Sequence, residues 1–76
     1  MKPQLVVRAG NRFSICEKNV LPYMRKNLDL VISAVSKACT ELKDAPERFE
    51  GSNQERLDKL NDRVYEILAG WNVYKG

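Results

Sequence analysis

Two stretches of this chain place their apolar residues alternately three and four positions apart, the spacing that brings side chains onto one face of an α-helix. The first runs from residue 21 to 42 and the second from residue 57 to 71. Isolated helices of this length are marginal in water, so the two stripes are expected to pack against one another. The stripe positions are Leu21, Met24, Leu28, Val31, Val35, Ala38 and Leu42, then Leu57, Leu60, Val64, Ile67, Leu68 and Trp71, with Ile32 and Cys39 widening the first stripe.

Capping residues predict where these helices begin and end. Asn19 can cap the first helix, and Pro22 is tolerated in its first turn because the amides there lack helical partners. Ser52 and Glu55 have the spacing of a capping box at the start of the second helix, and Gly70 can end it.

The segments outside the helices contain breaker and aromatic residues. Residues 44–51 are predicted to be a connection, since Pro46 and Gly51 interrupt helices, and Phe49 is expected to hold this connection to the core. In the tail, residues 71–75 alternate apolar and polar side chains and can form a short C-terminal strand or lie over the core. Trp71 is expected to close the core, whereas Tyr74 is equally suited to the core or to an interface.

Residues 5–15, LVVRAGNRFSI, predict a β-hairpin with Gly10 and Asn11 in a two-residue turn. In this register Arg8 lies opposite Phe13 and Val6 lies opposite Ile15. A two-stranded ribbon is barely stable alone, so one face should pack on the helices. The predicted fold is therefore α+β: a single domain over residues 1–76 in which an N-terminal β-hairpin packs on an antiparallel helical hairpin.

The chain is modestly basic, and its charge is unevenly distributed. The formal net charge is +3, but the first 38 residues carry seven Lys/Arg against two acidic residues, whereas the remainder carries six against eight. Such asymmetry is typical of a surface for an acidic partner, either protein or nucleic acid. The basic excess surrounds the hairpin and the start of the first helix: Lys2, Arg8, Arg12, Lys18, Arg25 and Lys26.

The residues that most enzymes and metal sites require are scarce. The chain has no histidine and only two cysteines, so a zinc site of about four soft ligands is not expected. A Cys16–Cys39 disulfide stays open from the sequence, although the helix stripe favours a buried Cys39 thiol. No Walker or Rossmann pattern occurs, and a chain of 76 residues has little room for a substrate pocket beside a core. We therefore expect a non-enzymatic protein with no cofactor and no metal.

Partner binding is the expected function class, because exposed strand edges recruit partners and Arg and Tyr frequently anchor interfaces. The apolar and basic residues of the N-terminal arm and hairpin are the candidates, with one aromatic residue of the tail. The predicted binding residues are Lys2, Leu5, Val7, Arg8, Arg12, Lys18 and Tyr74.

The start of the chain, MKPQLVVRAG, followed by a basic hairpin and paired helices, resembles the small transcription regulators of lytic bacteriophages. This resemblance to phage antitermination proteins implies binding to the large subunits of host RNA polymerase. It also implies inhibition of promoter initiation and passage of the elongating enzyme through intrinsic terminators.

Two other functions fit the same residues. The basic cluster can contact phosphates of DNA or RNA directly, and an exposed helix stripe can mediate dimerisation, although a monomer is the expected state. No apolar run approaches a membrane span and no signal-peptide pattern follows Met1, so the expected location is the cytoplasm, that of the host cell if the chain is phage-encoded.

Overall fold

The computed structural model describes residues 2–75 and begins with the predicted hairpin. Strands β1 (Val6–Ala9) and β2 (Arg12–Ile15) pair antiparallel. The predicted register is confirmed, with Val6 opposite Ile15 and Arg8 opposite Phe13. Gly10 has φ +64, a conformation that the two-residue turn requires and that glycine adopts without strain.

The first helix begins later than its apolar spacing predicts. Residues Glu17–Asn19 and Pro22–Asn27 form 3₁₀ turns, and α1 spans Leu28–Asp44. The step of three from Leu21 to Met24 fits a 3₁₀ turn as well as an α-helix, so periodicity could not separate them. The predicted cap at Asn19 is wrong, because its side chain instead donates a hydrogen bond to the carbonyl of Gln4 at 2.9 Å.

The second helix begins as predicted. A 3₁₀ turn at Pro46–Phe49 fills the connection, and Phe49 is buried in the core as expected. Helix α2 spans Asn53–Gly70 and begins with the predicted capping box, in which the Glu55 amide donates to the Ser52 hydroxyl and the Ser52 amide donates to the Glu55 carboxylate.

Helix α2 ends at Gly70, as predicted, but Gly70 is not the residue that terminates it in the left-handed conformation. That residue is Asn72, with φ 61. The amide of Val73 donates to the carbonyl of Leu68 and the amide of Asn72 to that of Ala69, which together form a Schellman motif.

This motif reverses the chain and determines the structure of the tail. Val73 turns back into the core, with 4% of its surface exposed. Residues 71–75 form a turn followed by irregular chain, so of the two predicted structures the tail lies over the core and is not a strand. Trp71 is 40% exposed at the end of the helix, so the prediction that it closes the core is wrong.

A single hydrophobic core joins the hairpin and both helices, which establishes the α+β architecture. The largest fully buried side chains come from the N-terminal segment, the 3₁₀ turns and the two helices: Tyr65, Leu5, Met24, Leu60, Leu68, Val6, Val31 and Val64. Ile32 does not widen the first stripe, since 46% of it is exposed, whereas Cys39 packs against the core as a free thiol whose pKa is raised by burial.

Between the helices, Arg63 of α2 binds Glu41 of α1 through two hydrogen bonds, of 2.6 and 3.0 Å. The paired guanidinium lowers the pKa of the Glu41 carboxyl. No helix within residues 2–75 combines the length and the apolar character needed to cross a membrane.

Candidate protein-binding surface

Four of the predicted binding residues lie along the hairpin and the turn that follows it. We call Val7, Arg8, Arg12 and Lys18 the hairpin surface. The three cations are exposed. Arg12 lies on the face of the ribbon that Val7 shares, whereas Arg8 lies at the turn on the opposite face. Arg8 is fixed at the turn, where its Nε donates to the carbonyl of Gly10 at 3.1 Å.

The hairpin surface lies in a stretch with almost no negative charge. Residues 2–16 contain no carboxylate, and Glu17 is the only acidic residue before Asp29. By contrast, Arg56 and Lys59 of α2 lie beside Glu55 and Asp58 in sequence. Lys18 of the hairpin surface likewise follows Glu17, but Arg8 and Arg12 have no acidic neighbour in residues 2–16. Their positive charge can attract an acidic partner over about a Debye length, roughly 8–10 Å at moderate salt.

Val7 gives this surface its apolar component. In the observed register it pairs with Ser14, so the two side chains share the face of the ribbon opposite Val6. Val6 is fully buried and Ser14 is exposed, which identifies the Val6 face as the one packed on the helices. Val7 is half-buried and lies on the outer face, where a partner can reach it.

Leu5 was predicted to anchor a partner, and its environment contradicts that role. Its side chain is completely buried in the core. Its amide donates to Oδ1 of Asn61 at 2.8 Å, and the amide of Val6 donates to the same oxygen at 3.3 Å. The N-terminal arm is thus held to α2 and does not project as a free apolar segment.

Lys2 and Tyr74 lie against α2 rather than with the hairpin surface. Lys2 Nζ is 3.8 Å from an Asp62 carboxylate oxygen and 5.8 Å from the ring centre of Tyr65. Tyr74 is half-buried and packs edge-to-face on Tyr65, with ring centres 4.6 Å apart. These two predicted residues belong to a cluster in which both ends of the described chain meet.

Asn61 and Tyr65 organise that cluster, and neither is among the predicted binding residues. Tyr65 donates a hydrogen bond to the carbonyl of Pro3 at 2.7 Å, and Asn61 Nδ2 donates to the same carbonyl at 3.4 Å. The available signal is their spacing, because Leu57, Asn61, Tyr65 and Leu68 form a second row beside the apolar stripe of α2.

A shallow groove of about 360 Å³ lies between the connection and α2. Two of its cations already have partners: Lys59 donates to the carbonyl of Glu50, and Arg63 binds Glu41 and Glu66. Its remaining lining residues are Arg48, Phe49 and Asp62, which mix both charges. The groove therefore favours no single class of ligand.

Within residues 2–75 there is no cluster of three or more potential metal-ligating side chains. In comparisons with protein-family models, with curated proteins and with solved structures, the chain matches none. The geometry of the hairpin surface is thus the basis for a functional proposal.

Proposed function

We propose that this chain is a non-enzymatic regulator that binds host RNA polymerase through its hairpin surface and modulates transcription, by inhibiting initiation and allowing antitermination. The observation that carries the proposal is the pair of exposed arginines on a hairpin whose residues 2–16 contain no carboxylate, with Arg12 on the same outer face as Val7 and Arg8 at the turn on the opposite face. The resemblance of the chain to small phage transcription regulators supports the choice of partner.

In this mechanism the hairpin docks and the helical core keeps it rigid. Arg8, Arg12 and Lys18 steer the encounter and contact acidic groups, while Val7 contributes apolar contact. A standard interface needs roughly 800 Å² on each side, which one face of a domain this size can supply. Steric and allosteric action on a polymerase requires no catalytic group on this chain.

The first experiment measures binding of the full chain to bacterial core RNA polymerase and to random-sequence duplex DNA, each at low and moderate salt. The variant Arg8→Ala/Arg12→Ala/Lys18→Ala should weaken polymerase binding about tenfold or more, since anchor cations dominate such interfaces. Val7→Asp should also weaken it while circular dichroism shows a retained fold.

The matched control is Arg56→Ala, which removes an exposed cation from the acidic part of α2. The affinity of this variant for polymerase should stay within about twofold of that of the unmodified protein, in the range of ordinary surface substitutions. The single variant Arg12→Ala removes the same charge from the hairpin surface and is compared with it. Equal losses of polymerase affinity for Arg56→Ala and Arg12→Ala would mean that net charge alone governs binding, and the hairpin surface would lose its role.

Direct binding to DNA or RNA is the second candidate, because the same cations can contact phosphates. The salt dependence of binding distinguishes polymerase docking from direct binding to nucleic acid. For binding to phosphates, the logarithm of the binding constant falls steeply with the logarithm of the salt concentration. Docking with an apolar anchor persists at moderate salt. Binding to DNA alone would overturn the polymerase proposal in favour of this candidate.

A further inference from the structure

The hydrogen-bond pattern of the hairpin determines which backbone groups point outward. The amide of Cys16 donates to the carbonyl of Leu5 at 2.8 Å, so these two residues form a hydrogen-bonded pair. Hydrogen-bonded and non-hydrogen-bonded pairs alternate along an antiparallel ladder. The pairs Val6–Ile15 and Arg8–Phe13 are therefore the non-bonded ones, and their N–H and C=O groups are directed to the two outer edges.

The outer edge of β1 is partly occupied by this chain's own side chains. Asn61 accepts the hydrogen bond of the Val6 amide at 3.3 Å. Gln4 Nε2 donates to the carbonyl of Val6 at 2.8 Å. An incoming strand would have to displace both contacts in order to pair along β1.

The outer edge of β2 has no such contacts. Within residues 2–75, no hydrogen bond joins the outward groups of Phe13 or Ile15 to a side chain or to another segment. The flanking residues Arg12 and Ser14 are exposed. The N–H and C=O groups of Phe13 and Ile15 thus have no hydrogen-bond partner within residues 2–75, in the spacing that an added strand uses, while both side chains are half-buried against the core.

We infer that the β2 edge binds an extended, acidic segment of the partner protein as a third strand. This inference rests on the proposed function and specifies how the partner is recognised. The acidic character follows from Arg12 within the edge strand and the absence of carboxylates from residues 2–16, since Lys18 beyond the strand is offset by Glu17. A second copy fits less well, because edge pairing would bring two basic hairpins together.

The test removes one outward N–H group and leaves every side chain unchanged. The chain can be assembled by ligation at Cys16, with the amide between Arg12 and Phe13 replaced by an ester. The matched control carries an ester between Val7 and Arg8, which removes the outward N–H of Arg8 on the β1 edge. Loss of one interfacial hydrogen bond should weaken binding to core RNA polymerase about three- to tenfold for the Phe13 ester only.

The outcomes separate the two proposals. Equal polymerase affinities for the unmodified protein and the Phe13 ester would overturn the edge-pairing inference and leave the proposed function intact. A greater loss for the Arg8 ester would overturn it as well. Failure of the unmodified protein to bind polymerase would refute the proposed function. The edge-pairing inference would then be tested by a second measurement.

That second measurement follows the amide signals by NMR as a synthetic peptide of alternating Glu and Val residues is added at millimolar concentration. The Phe13 and Ile15 amides should shift and gain protection from hydrogen exchange, whereas a peptide of alternating Lys and Val should leave them unchanged. No change with the acidic peptide would overturn the inference. Shifts produced by raising the protein concentration alone would identify a second copy as the occupant, which would also overturn it.

Discussion

Asn61 is the residue that joins the N-terminal segment to the helices. Its side-chain oxygen accepts hydrogen bonds from the amides of Leu5 and Val6, and its side-chain nitrogen donates to the carbonyl of Pro3. Its side chain is buried, with 5% exposed, and it shares the role of buried polar group in the described part of the chain with the hydroxyl of Tyr65. A buried backbone amide without an acceptor keeps the full desolvation penalty. Asn61 therefore contributes more to the free energy of unfolding than its size suggests.

Asn61→Ala should therefore lower the free energy of unfolding by about 2 kcal/mol, because it leaves two amides without an acceptor. Urea denaturation followed by circular dichroism measures this change. Arg56→Ala, an exposed substitution on the same helix, should stay within about 0.5 kcal/mol of the unmodified protein. Equal midpoints of urea denaturation for the two variants would mean that water replaces the Asn61 oxygen as hydrogen-bond acceptor at no cost in stability.

At the scale of elements, both ends of α2 are defined by local hydrogen bonds. The capping box satisfies amides at the start, and the Schellman motif satisfies carbonyls at the end. The left-handed conformation of Asn72 allows Val73 to reach the core, where Leu68 is also buried. The direction of the tail thus depends on one backbone conformation.

Asn72→Ala should destabilise the protein by about 1 kcal/mol, since a residue with a β-carbon and no local polar group is strained in the left-handed region. Asn72→Gly should be at least as stable as the unmodified protein, because glycine adopts this conformation freely. Thermal unfolding of the three proteins makes the comparison. A similar loss for both variants would assign the effect to the Asn72 side chain instead of to its φ angle.

At the scale of the whole molecule, the two ends of the described chain are held together on Tyr65. Its hydroxyl binds Pro3, its ring packs on Tyr74, and Tyr23 accepts a hydrogen bond from the amide of Lys75 at 3.0 Å. Burial, together with the neighbouring Tyr74 and Tyr23, raises the pKa of Tyr65 to about 12. Folding consequently favours the protonated phenol.

Stability should therefore fall as the pH rises from about 10 to about 12, because Tyr65 of the unfolded chain loses its proton at a lower pH than Tyr65 of the folded chain. The contribution of the protonated Tyr65 to the free energy of unfolding is complete below pH 10 and is lost as the pH rises through the pKa that Tyr65 has in the folded protein. Urea unfolding at a series of pH values measures this slope.

The control is Tyr65→Phe, which removes the titrating group and should show a shallower loss over the same range. The raised pKa of Cys39 acts in the same direction but is present in both proteins, so it cancels in the comparison. Identical slopes would contradict the assignment to Tyr65.

Many local features of this protein were predictable from the sequence by itself, but the 3₁₀ turn at Pro22–Asn27 before α1 and the Schellman motif at Asn72 were not. Residue spacing along one element predicted the hairpin register, the apolar faces of α1 and α2, and the capping box at Ser52 and Glu55. Each depends on residues at most a few positions apart, or on the turn that joins two strands, so short-range geometry was sufficient. The partner and its binding site remain proposals from the same local charge pattern.

Only the tertiary structure decided the roles of Leu5, Asn61, Tyr65 and Trp71. Leu5 alternates along a strand as an outward residue would, yet its amide meets a side chain 56 positions away, and Tyr65 meets Pro3 across 62. Trp71 continues the helical stripe, but the chain reverses beside it and leaves the ring exposed. Contacts between distant segments have no periodic signature in the sequence, and they determined which apolar residues became core and which backbone edge of the hairpin stayed open.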